Sequence, residues 1–307
     1  MRILITGGTG FIGSHLIDRL IKEDHEVAVI DSSSGREKKI NKNTKFYKIN
    51  IGDAKICQIF KKEKPEIVFH LAGPINLRRP LNDPLLLKSI DILGNLRNLL
   101  EGARKTGVKK FIFISSGGAI CADAKLIPTP ENYPCQPKTL YGLANLLIEK
   151  YIHIYCRLYN LNYAILRLSN AYGPRQWSSG IIPSMISSII NRKKIIINGD
   201  GRQIRDLIFI DDIIDVLLLV AFSKKKNILY NVASGAGVSI NDLLGRTVKI
   251  LDRRAEVVYN KYFADVKKNI LNISKIKTEL HWKPRVNLET GLKKTINWFI
   301  NKKNIDL

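Results

Sequence analysis

The chain has no run of about 18 consecutive apolar residues, which argues against a membrane-spanning helix. Its longest candidate, Ile213 to Phe222, follows Asp211 and Asp212 and reads as a buried helix. Cysteine is scarce: Cys57, Cys121, Cys135 and Cys156 show no CxxC or CxxH spacing, which argues against a zinc site or a disulfide framework. No metal site is expected. Low-complexity linkers and internal repeats are also missing. The first residues already form a strand and a glycine loop, leaving no room for a signal peptide. The expectation is a reduced, soluble, cytoplasmic protein.

Acidic residues are few, 27 Asp and Glu against 50 Lys and Arg, for a formal net charge of +23 in 307 residues. Such a surplus suits anionic partners. The lysines are scattered (Lys38 and Lys39, Lys61 to Lys64, Lys224 to Lys226, Lys267 and Lys268, Lys302 and Lys303) and are not interleaved with stacking aromatics. Without a recognisable nucleic-acid motif, small anionic substrates or an anionic membrane surface account for the charge at least as well as DNA or RNA. With 45% hydrophobic residues the chain can bury a substantial core.

Short apolar runs at Met1 to Thr6, Glu26 to Ile30, Lys45 to Asn50, Ile67 to Leu71, Phe111 to Ser115 and Asn162 to Leu168 predict strands. Helical patterns over Phe11 to Ile21, Lys55 to Lys61, Pro84 to Thr106 and Tyr141 to Tyr159 separate most of them. Strands alternating with helices imply an α/β fold, a Rossmann-type doubly wound parallel sheet, with ligands at the carboxyl ends of its strands. After about residue 170 the pattern loosens. Helices are predicted near Ser184 to Asn191, from Asp211, over Ile240 to Leu251 and over Leu288 to Phe299, with strands at Asp206 to Ile210 and Tyr230 to Ala233. The division expected is a Rossmann domain over 1–170 and a smaller C-terminal α/β substrate lobe over 171–307, with some elements crossing back.

Thr6-Gly7-Gly8-Thr9-Gly10-Phe11-Ile12-Gly13 follows a predicted strand and opens a predicted helix, the context a dinucleotide-binding loop requires. Gly7 and Gly10 let the backbone turn and approach a pyrophosphate, Gly13 lets the helix pack closely on the strand, and the helix N-terminus stabilises the anion. Asp31, at the end of the second strand, can accept from ribose hydroxyls and repel a 2′-phosphate, which favours NAD over NADP. Arg36 stands nearby.

These residues, with Asp31 to Arg36, His70-Leu71-Ala72, Arg167 to Gln176, Gly199 to Asp206 and Asp211-Asp212, resemble the extended short-chain dehydrogenase/reductase family. The match runs over nearly the whole chain and is most like the NAD-dependent nucleotide-sugar epimerases and dehydratases, the UDP-sugar 4-epimerases in particular. The resemblance implies tightly held NAD, a nucleotide-sugar substrate, a homodimer, and oxidation of a sugar hydroxyl to a transient 4-ketone. By family analogy it implies polysaccharide biosynthesis. It places Gly7, Gly10, Phe11, Ile12, Gly13, Asp31, Gly35, Asn50, Ile51, Leu71 and Ala72 around the dinucleotide. Asn170, Arg205 and Arg78 fall at the substrate.

The family's proton-transfer tyrosine corresponds to Tyr141. Its lysine partner is replaced by Asn145, which can hydrogen-bond a ribose but carries no charge to stabilise a phenolate. Gly117 takes the position of the family's Ser or Thr, leaving Ser115 or Ser116 to approach the sugar hydroxyl, and Cys121-Ala122 replaces a Tyr-Gly pair. Asn50 replaces an adenine-contacting Asp, and Lys261 stands near the position of an arginine beside Tyr262. His70 reads as packing rather than as a base. Two functions compete: a 4-epimerase with an alkaline optimum, and a degenerate NAD- or sugar-nucleotide-binding homologue. A reductase or dehydratase is a variant of the first; against the dehydratase, Gly118-Ala119 stands where the family has Asp-Glu.

Overall fold

A parallel sheet buried on both faces needs strands that are apolar without alternation, and the central strands satisfy this. The computed structural model describes residues 1–32, 40–73, 92–122, 124–176, 180–261 and 266–303. Strands β1 (Arg2–Thr6), β2 (Glu26–Asp31), β4 (Ile67–His70) and β6 (Tyr163–Leu168) are buried almost throughout, while β3 (Lys45–Lys48) is a partly exposed edge. With β5 (Lys110–Ser116) and β10 (Ile228–Val232) they form a seven-stranded sheet in the order β10-β6-β5-β4-β1-β2-β3. The pairs β3–β2, β2–β1, β1–β4 and β4–β5 are parallel. This is the doubly wound order, whose direction reverses between β1 and β4.

Helices α1 (Phe11–Lys22), α2 (Ile56–Glu63), α3 (Ile92–Lys105), α4 (Gly117–Ile120) and α5 (Leu140–Leu158) occupy the crossovers. Helix α1 buries Gly13, Leu16, Ile17 and Leu20 at helical spacing. One face of the sheet packs Leu4, Val68, Phe111 and Ile165 against Phe60, Leu99, Leu100 and Ile152 from the helices. Fully burying each such side chain stabilises the fold by roughly 1.5–3 kcal/mol. Helix α5 starts where Thr139 Oγ1 accepts from the Gly142 amide at 3.1 Å, an N-cap that fixes its first turn.

The chain divides into two compact units, Met1–Ile120 with Cys135–Arg167 and Val216–Tyr230, and Cys121–Pro134 with Leu168–Asp215 and Asn231–Leu307. The second unit holds β7 (Asn170–Tyr172), β9 (Ile204–Phe209), β11 (Gly237–Ser239) and β13 (Lys268–Asn269) in one sheet, and a separate parallel pair, β8 (Ile195–Asn198) with β12 (Val257–Asn260). Helices α6 (Ile181–Ile190), α7 (Ile210–Phe222), α8 (Ile240–Leu251), α9 (Ser274–Leu280) and α10 (Leu288–Lys303) complete the described chain.

One expectation is corrected. Cys121 and Cys135 are disulfide-bonded, whereas Cys57 and Cys156 are free. Pairing depends on where the folded chain returns, which sequence spacing alone does not reveal. Among the described residues no helix is long and apolar enough to cross a membrane.

Candidate active site

The register of the sheet brings the candidate residues to one edge. Thr6 pairs with Ile30 and with His70, and His70 pairs with Phe113. The segments leaving β1, β2, β4 and β5 therefore emerge side by side: the glycine loop, Asp31, Leu71-Ala72 and Ser116.

Close approach explains the loop's glycines. Gly7 has φ +73°, and a Cβ on it would lie 2.7 Å from the Ala72 amide nitrogen. A Cβ on Gly13 would lie 2.6 Å from the Gly7 carbonyl oxygen. The Gly7 amide donates to the Ile30 carbonyl at 2.9 Å, fixing the loop to the neighbouring strand. Helix α1 begins at Phe11 after Gly10, without a side-chain cap. The amides of its first turn, including those of Phe11 and Ile12, have no partner within the helix and suit an anion. Asp31 is held at the loop by Thr9, whose backbone amide and hydroxyl both donate to Oδ2, at 3.1 and 2.7 Å. Asn50 is exposed and its Oδ1 accepts from the Gly52 amide at 2.9 Å; Ile51 is half-buried beside it. A tight backbone cradle closed to any Cβ, a bare helix N-terminus and a carboxylate at the end of β2 fit a dinucleotide.

His70 is 2% exposed and stacks on Phe113. The Ala72 amide donates to Thr6 Oγ1 at 3.3 Å, and the same hydroxyl is hydrogen-bonded with His70 Nδ1 at 2.7 Å. Burial holds the imidazole neutral, with its pKa lowered to about 4. This is a packing role.

Ser116 ends β5, and the buried Gly117 opens the short α4. Helix α5 sits directly on that turn: a Cβ on Gly142 would run into the Ala119 carbonyl oxygen. The Ser116 hydroxyl and the Asn145 amide lie near the Tyr141 phenol, where both favour its ionised form. Burial raises its pKa above the ordinary 10, and these two partners oppose the rise. Asn145, 4% exposed, also donates from Nδ2 to the Tyr141 carbonyl at 2.8 Å. Ser115 is buried and donates to Glu149 Oε1 at 2.6 Å.

In the second unit, Asn170 donates to the Asp206 carbonyl at 3.2 Å, and Arg205 donates from Nη1 to the carbonyls of Ile204 and Val266 at 2.9 and 2.7 Å. Asp206 is fully buried and collects the Ser169 and Ser234 hydroxyls and the amides of Ser234, Gly235 and Leu271. Its burial raises the carboxyl pKa, against which those donors act. The knot holds β9, and with it the Arg205 backbone, in place. Gly35, Arg36, Arg78 and Tyr262 lie outside the described residues.

Thr9, Glu149 and Arg167 were missed as site residues. Two of them left a signal: an Arg inside the apolar run Tyr163–Leu168, and a Glu on the Tyr141–Asn145 face of a buried helix, each needing a partner.

A family model described as the NAD dependent epimerase/dehydratase family matches residues 3–233. A putative UDP-glucose 4-epimerase of Methanocaldococcus jannaschii is 36% identical, over 97% of this chain and 98% of that protein. The crystal structure of a Thermotoga maritima UDP-glucose 4-epimerase with UDP-glucose is 37% identical, with a TM-score of 0.94 over 99% of this chain and 100% of that one. A Methanobrevibacter ruminantium UDP-N-acetylglucosamine 4-epimerase in complex with UDP-N-acetylmuramic acid is 31% identical, with a TM-score of 0.90 over 98% of each chain.

Proposed function

Because the chain belongs to the NAD dependent epimerase/dehydratase family, we propose that it interconverts the C4 epimers of a UDP-sugar, with Tyr141 moving the proton of the sugar hydroxyl. The observation that carries this is the Ser116–Tyr141–Asn145 cluster at the carboxyl end of β5, on the same sheet edge as the glycine loop.

NAD, when bound, would supply a reversible two-electron oxidant for the sugar carbon. Gly7, Gly10, Gly13 and the amides of Phe11 and Ile12 hold its pyrophosphate, Asp31 its adenosine ribose, and Asn50 and Ile51 its adenine. Leu71 and Ala72 would lie beside the dinucleotide. Ionised Tyr141 takes the hydroxyl proton as the ketone forms and returns it when the alcohol is regenerated. Ser116 orients the hydroxyl, since Gly117 offers no side chain. Asn145 would bond the nicotinamide ribose and sits near the phenol without adding charge, so ionisation of Tyr141 demands a higher pH than a lysine would allow. Asn170 and Arg205 hold the UDP diphosphate.

The protein is incubated with UDP-glucose, UDP-N-acetylglucosamine and their 4-epimers and followed by NMR. Interconversion of one pair is expected; bound NAD with no conversion of either pair counts against the assignment.

We further propose a homodimer. Leu143, Leu147, Ile154 and Leu158 on α5 are exposed by 43, 46, 65 and 72%. Their spacing of 4, 7 and 4 residues forms the kind of seam that packs against a second copy across a two-fold axis. Ile154→Glu is expected to yield monomers by sedimentation, and an unchanged oligomer contradicts this. A nucleotide-sugar substrate suits a cytoplasmic enzyme feeding polysaccharide synthesis.

A further inference from the structure

Tyr141, Asn145 and Glu149 recur every four residues along α5, so they stack on one face of the helix. Glu149 is 3% exposed and belongs to a closed cluster. Its Oε1 accepts from Ser115 Oγ at 2.6 Å and from Arg167 Nε at 3.0 Å, and its Oε2 accepts from Arg167 Nη2 at 2.7 Å. Ser115 lies in β5 and Arg167 in β6, which are neighbours in the sheet. A single buried carboxylate thus ties the helix to two adjacent strands. Arg167 Nη1 also reaches Cys135 Sγ at 3.9 Å, just before the segment that enters α5.

A buried ion pair is weak evidence for stability, because apolar residues of similar volume often serve as well; its clearest use is to fix register. The register at stake is that of Ser116, the next residue after Ser115, against Tyr141, two turns before Glu149. We infer that Glu149, held by Ser115 and Arg167, is the positioning residue that sets Tyr141 against Ser116 for proton transfer. This rests on the role given to Tyr141 above. Slack in the clamp moves Ser116 away from the Tyr141 phenol, and the phenol then loses a nearby hydroxyl that favours its ionised form.

Glu149→Gln strands a buried guanidinium and endangers the fold, so the working variant is Ser115→Ala, which keeps the ion pair. Ser115→Thr restores the hydroxyl. Tyrosinate ultraviolet absorbance is titrated in each background with and without Tyr141→Phe, and the difference isolates the Tyr141 phenol from the other tyrosines. Expected in Ser115→Ala is a Tyr141 midpoint about 0.5–1 pH unit higher, the size of one ordinary hydrogen bond. The pH of half-maximal kcat moves by the same amount, with KM unchanged, and Ser115→Thr restores both. A lowered kcat with an unmoved midpoint means packing alone and overturns the proposal, as does no change in either. If Tyr141→Phe itself turns over like the native protein, the role of Tyr141 falls and takes the proposal with it. An inactive Tyr141→Phe with an unmoved Ser115→Ala midpoint overturns the positioning role only.

Discussion

Thr9 donates twice to Asp31, through its backbone amide at 3.1 Å and its hydroxyl at 2.7 Å, and so joins the glycine loop to the end of β2. The carboxylate is oriented before any ribose arrives. Asp31→Asn keeps the shape but removes the charge that strengthens a ribose hydrogen bond and repels a 2′-phosphate. Hydrogen bonds to charged groups contribute about 1.5–3 kcal/mol, so NAD binding is expected to weaken roughly ten- to hundredfold, and NADP binding much less. Calorimetric titration of the stripped protein with each dinucleotide checks both; an unchanged NAD to NADP ratio contradicts the assignment.

His70 makes stability depend on pH. Its folded pKa lies at about 4, below the ordinary 6.5, because protonation would place a charge in the core. Between these values the unfolded chain binds the proton and the folded chain does not, so this contribution is fully present above pH 6.5 and is lost as pH falls towards 4. The full change is on the order of 3 kcal/mol at about 1.4 kcal/mol per unit. Denaturant unfolding from pH 7 to 4 is expected to show a shallower decline in His70→Asn than in the native protein. Parallel curves would place the acid sensitivity elsewhere.

Gly142 is required by packing. A side chain there would meet the Ala119 carbonyl, forcing α5 away from the turn after Ser116. Gly142→Ala is expected to cost about 1–3 kcal/mol in stability and to reduce turnover at least tenfold while NAD stays bound. Thermal unfolding beside dinucleotide content and NMR turnover tests this; full activity shows that the first turn of α5 adapts.

Much of this was legible in the sequence for a physical reason. A parallel strand covered on both faces is a plain apolar run, as in Ile67–His70, and a dinucleotide loop needs glycines at fixed offsets. Other features left weaker marks. The β8–β12 pair joins Ile195–Asn198 to Val257–Asn260, and no local pattern foretells pairing across that separation. The α4 turn hides in Ser115-Ser116-Gly117-Gly118, which reads as loop because its geometry is imposed by Gly142 packing on Ala119. The sequence alone leaves Ser115 and Ser116 both open. In the folded chain the Ser115 hydroxyl is taken by Glu149, which is why Ser116 is the one proposed to orient the sugar hydroxyl.

Asn145→Lys places an ammonium one turn from the Tyr141 phenol. The positive charge favours the phenolate, so the pH at which kcat rises is expected to move down and turnover at neutral pH to increase. Lysine must fit a position now 4% exposed, and circular dichroism confirms that it does. A fold-competent variant with an unmoved profile means that another group is titrating.

The central claim is that Tyr141 moves the proton without a lysine. It is tested most directly by the pH dependence of kcat for UDP-sugar epimerisation, followed by NMR in the native protein and in Tyr141→Phe. The account predicts a native rate that climbs into the alkaline range and a Phe variant that still binds NAD but does not turn over. A native rate that is flat through neutral pH, or a Phe variant that epimerises at the native rate, would contradict it.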